Sequence, residues 1–116
     1  MMDTQFWNAL EDLAARHQIK IDKPRGSKHA QIANLTYPVD YGYLDGTRSK
    51  RGGGVELYMG TLGNLNVTGV ISMLDLSDYG STMKLLIGCS AQEMADAVAV
   101  EKRGGVAATL IVRNPG

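Results

Sequence analysis

The sequence predicts an α+β domain in which a mostly antiparallel, strongly curved sheet or small β-barrel is flanked by two helices. Three observations predict it. Residues 3–17 and about 91–102 place apolar side chains at helical spacing, whereas the stretch from Tyr37 to Cys89 is rich in branched and aromatic residues broken by glycines. A length of 116 residues suits one hydrophobic core, so 1–116 is read as a single domain.

In the first helix Phe6, Trp7, Leu10, Leu13 and Ala14 form the apolar stripe, with Asp3 or Thr4 as N-cap and Arg16 and His17 near the negative C-terminal end. IKID at 19–22 alternates as a short strand does, and KPRGSKH stops it because Pro24 lacks a donor and Gly26 permits a turn. YGYL, VELYM, LNVTGVISML and MKLLIGC then read as strands. Ser90 and Glu93 have the spacing of a capping box, with Met94, Ala95, Val98 and Ala99 supplying the apolar face behind it. Gly104 and Gly105 end that helix, and VAATLIV reads as a last strand buried on both faces.

Twelve basic and twelve acidic residues cancel, so the field that drives broad nucleic-acid or membrane binding is missing, and neither is expected as a partner. The acidic N-terminus does not read as a signal peptide, and no apolar run approaches the roughly 18 residues of a membrane span. The single cysteine, Cys89, lies in the apolar run LLIGC and suits a reducing space. A cytoplasmic protein is expected.

Several groups are candidates for chemistry, each with a plainer alternative. RGGG at 51–54 invites a phosphate loop, but no GK[ST] follows and the glycines lead into a strand, so a hairpin turn is favoured. Glu56 alternates against Val55 and Leu57, Asp75 closes VISMLD, and Asp78 follows three residues later. Carboxylates at strand ends suit Mg2+; solvated edge residues are the alternative. Arg25 and Lys28, with Lys23 and His29, make KPRGSKH either an anion-binding loop or a solvated basic one. Tyr37, Tyr41 and Tyr43 share a strand face and are either core filler or phosphate donors. His17 and His29 lack zinc spacing, and Cys89 lacks a nearby base.

The stretch YPVDYGYLDGTRSKRGGGVEL resembles the signature of the family I soluble inorganic pyrophosphatases. Tyr37, Pro38, Tyr41, Gly42, Tyr43 and Thr47 match its Y-P-x-x-Y-G-Y-I and following threonine, and VISMLDL with MKLLIG looks like the family's next strand pair. The likeness spans roughly residues 19–90 and is greatest to a short bacterial subgroup in which the acidic motif is degenerate. It implies an OB-like, pyrophosphatase-type barrel and Mg2+-dependent hydrolysis of pyrophosphate or another small phosphorylated anion. Carried over by position, the three motif acids fall on Arg51, Gly53 and Glu56. The acid of the next cluster falls on Asp75, and the one before the phosphate-binding lysine on Thr82, with Asp78 as its substitute. The resemblance thus implies Glu56, Asp75 and Asp78 as metal ligands and Tyr41 and Lys84 as phosphate ligands, assisted by Lys28 or Arg25. A catalytically inactive module holding an anion on the same fold, and a structural homo-oligomer subunit, are the other readings.

Overall fold

The computed structural model describes residues 4–49 and 53–113; Arg51, and with it the start of RGGG, lies outside the described residues. The order is α1 (Thr4–Arg16), β1 (Ile19–Lys23), β2 (Asp40–Leu44), β3 (Val55–Met59), β4 (Val67–Asp75), β5 (Ser81–Ile87), α2 (Ala91–Arg103) and β6 (Val106–Val112). The expected α+β class holds. The six strands form one mixed sheet in the order β1-β2-β3-β5-β4-β6. All pairings are antiparallel except β3 with β5, because the chain passes beyond the β5 position to lay down β4 and then returns by a hairpin.

Two sequence expectations are corrected here. Among the described residues β1 and β6 are the two edges, and the sheet is not closed into the expected OB-like barrel. VAATLIV is therefore an edge strand, and none of its residues is fully buried. Its apolar composition reports a face packed on α2, not burial on two sides.

Strand alternation sends side chains to two cores. Leu44, Leu57, Val70, Leu85 and Ile87 face Trp7 and Leu10 of α1. Tyr41, Tyr58, Ile71 and Leu86 face Met94, Ala97 and Val98 of α2. Leu57, Leu85 and Leu86 are at 0% exposure, which contributes about 1.5–3 kcal/mol each relative to leaving them in water. Gly42 is needed where β1 crosses β2: a Cβ there would lie 1.8 Å from the Lys20 carbonyl oxygen. The capping box of α2 is present, with Ser90 accepting from the Glu93 N–H and Glu93 from the Ser90 N–H. Among the described residues no helix is long and apolar enough to cross a membrane.

Candidate functional site

On the α2 side of the sheet, residues from β2, β3, β5, α2 and the loop after β1 surround a cleft of about 500 Å3. Register explains the convergence. Leu57 pairs with Leu85 in the parallel ladder, so Glu56 and Lys84, one residue earlier on each strand, emerge side by side on the opposite face. Tyr41 pairs with Tyr58 across the antiparallel ladder and adds its ring to the same face.

Lys84 is the hub. Its Nζ lies 3.0 Å from Glu101 Oε2, 3.7 Å from Glu56 Oε1 and 4.8 Å from the centre of the Tyr41 ring. The Lys84 and Glu101 side chains are only 14% and 12% exposed, while Glu56 is 49% exposed and turned to water. The Tyr58 hydroxyl donates to the same Glu101 oxygen, and the Tyr41 hydroxyl lies within the field of the Glu56 carboxylate. Burial, reinforced by Glu56, pushes the Tyr41 phenol far above its ordinary range; burial and then Glu101 do the same to Tyr58. Both stay protonated and able to donate.

An aromatic column walls the cleft. His29 stacks on Tyr37 at 5.3 Å, Tyr37 on Tyr41 at 5.2 Å, and Tyr41 meets Tyr58 edge-on at 4.8 Å. His29 Nδ1 accepts from the Gln31 and Ile32 backbone N–H groups at 3.1 and 3.2 Å. The neutral ring therefore carries its proton on Nε2.

Of the seven residues that the resemblance implies as metal or phosphate ligands, Tyr41, Glu56 and Lys84 come together, and the other four, Arg25, Lys28, Asp75 and Asp78, do not line the cleft. Asp75 and Asp78 build the β4–β5 turn: Asp75 Oδ1 accepts from the Ser77 N–H and hydroxyl at 2.8 and 2.6 Å, and Asp78 Oδ1 accepts from the Gly80 N–H at 2.8 Å. Arg25 is exposed and its backbone N–H donates to Asp40, while Lys28 is exposed opposite Thr36 in an isolated bridge. Sequence reasoning missed Glu101 and the placement of His29.

Among the described residues no group of three or more His, Cys, Asp or Glu side chains is placed to hold a metal. Glu56 and Glu101 both line the cleft, with the Lys84 ammonium 3.7 Å from an oxygen of the first and 3.0 Å from an oxygen of the second. No protein-family model matches this chain, and no curated protein matches it.

Proposed function

We propose that the chain is a pyrophosphatase-like phosphohydrolase that takes the Mg2+ complex of pyrophosphate, or of another small phosphorylated compound, into this cleft. The observation that carries the reading is charge. Among the described residues, two carboxylates, Glu56 and Glu101, face one ammonium, Lys84, so their fixed charges leave the cleft negative. A bare phosphoanion would be repelled there, and an anion that arrives with a divalent cation would not. The competing module, which holds an anion without metal, draws on the basic loop, Arg51 and the tyrosines; of these the tyrosines line the cleft, Arg25 and Lys28 do not, and Arg51 lies outside the described residues.

In this reading Glu56, the more exposed carboxylate, would hold the ion and Glu101 would be the second oxygen donor. The ion would neutralise phosphate charge and make its bound water more acidic. Lys84 and the Tyr41 hydroxyl donate to phosphate oxygens, and Glu101 keeps the Lys84 ammonium aimed into the cleft. Asp75 and Asp78, expected from sequence to bind metal, lie in the β4–β5 turn and do not line this cleft.

The test is turnover by the purified full chain with Mg2+ and pyrophosphate. Phosphate release is expected to stop in EDTA, to fall by at least about tenfold in Glu56→Gln, and to persist in Asp75→Asn. A parent that releases no phosphate from pyrophosphate or from a phosphate monoester, yet binds pyrophosphate in EDTA, overturns the enzyme reading in favour of the metal-free module.

A further inference from the structure

The two edges of the open sheet are built differently. β1 is five residues long, carries Lys20, Asp22 and Lys23, and slips register against β2 between Ile21 and Lys23. Shortness, charge and a bulge are the means by which natural sheets discourage a further strand from adding. β6 has none of them. It runs seven residues, VAATLIV, with no charge and no proline, and pairs with β4 from Val106 to Val112 without a register shift. Among the described residues no strand pairs with its outer side, and Ile111 and Val112 stand 43% and 54% exposed.

The direction of the free peptide groups follows from one hydrogen bond. The Arg113 N–H donates to the Thr68 carbonyl across the β4 ladder at 3.0 Å. Antiparallel alternation then turns the peptide groups of Ala107, Thr109 and Ile111 toward β4, and those of Val106, Ala108, Leu110 and Val112 outward.

We propose that β6 is the surface through which two copies of this chain associate, their β6 strands running antiparallel about a two-fold axis at Thr109. That centre pairs the whole strand with itself: Thr109 faces Thr109, Ala108 faces Leu110, Ala107 faces Ile111, and Val106 faces Val112. The residues that must exchange hydrogen bonds in this register, 108 with 110 and 106 with 112, are those whose peptide groups already point outward. Alanines meet larger side chains and no like charges meet. An isologous contact requires a surface complementary to itself, and this strand is so about its own midpoint.

Sedimentation equilibrium of the full chain from micromolar to millimolar concentration is expected to show a concentration-dependent dimer. Thr109→Lys sets two ammonium groups against each other and is expected to give a monomer, as is Thr109→Glu. Mixing these two variants is expected to restore a dimer, because position 109 then faces its opposite charge. Ala108→Pro removes an outward N–H without touching the β4 ladder and is expected to give a monomer with an unchanged far-UV circular dichroism spectrum. A parent that stays monomeric leaves the edge to a strand of some other protein and overturns the proposal. A Thr109→Lys variant that remains dimeric overturns it too, as does a mixture of the two charged variants that stays monomeric.

Discussion

Tyr41 and Tyr58 set their hydroxyls against Glu56 and Glu101, so burial and then a neighbouring negative charge both oppose loss of the phenolic proton. The folded chain therefore holds two protons that the unfolded chain releases near the ordinary value of 10.0. The stability linked to them is complete below about pH 10 and is lost as pH rises above it. Urea midpoints of the parent are expected to fall in that range, and those of Tyr41→Phe and Tyr58→Phe to fall less steeply; equal slopes would contradict the assignment. At this scale the sequence was only partly legible. Tyr41, Glu56 and Lys84 could be found from a motif likeness. Glu101, in the run AVEKR at the end of an amphipathic helix, reads as one more solvated charge until the packing of α2 on the sheet brings it to Lys84. Asp75 and Asp78 had a local signal that was available: Asp-Leu-Ser and Asp-Tyr-Gly suit side chains that accept from the backbone two residues on, as both do in the β4–β5 turn.

Single elements were more legible, because their signals are local. Ser90 and Glu93 announced the start of α2, and the cap is present with a third partner: Glu93 also accepts from the Thr61 N–H and hydroxyl at 3.1 and 2.7 Å, tying the β3–β4 connection to the helix. Burial raises the Glu93 pKa, but the combined bonds from Ser90 and Thr61 outweigh it and hold the carboxyl below its ordinary range. Strand order was not legible, because composition reports how apolar a segment is and not who sits beside it. VAATLIV shows this: it is apolar yet lies at the edge. The β1–β2 crossing gives the sharpest element-scale prediction. Gly42→Ala would drive a methyl group into the Lys20 carbonyl and is expected to cost more than about 3 kcal/mol in urea denaturation, with β1 amides losing hydrogen-exchange protection. Stability equal to the parent would mean that β1 does not approach β2 this closely.

For the molecule as a whole, the thiol of Cys89 reports cooperativity. It is 2% exposed, and burial, aided by the Glu93 charge, pushes its pKa up to about 12. A thiol so placed reacts only when the structure opens. Labelling by an uncharged thiol reagent near neutral pH is expected to be at least about a thousandfold slower in the native chain than in urea. Rapid native labelling would show that the β5–α2 junction opens on its own, apart from global unfolding.

The charged, bulged β1 edge has a further consequence for growth. A sheet that adds partners at both ends can polymerise, whereas this one is sticky at one end and guarded at the other. Once two copies have joined through β6, each outer boundary of the widened sheet is a β1, with Lys20 and Asp22 facing solvent. Edge addition is then self-terminating: the strand that does nothing for the first contact is the one that keeps the assembly finite.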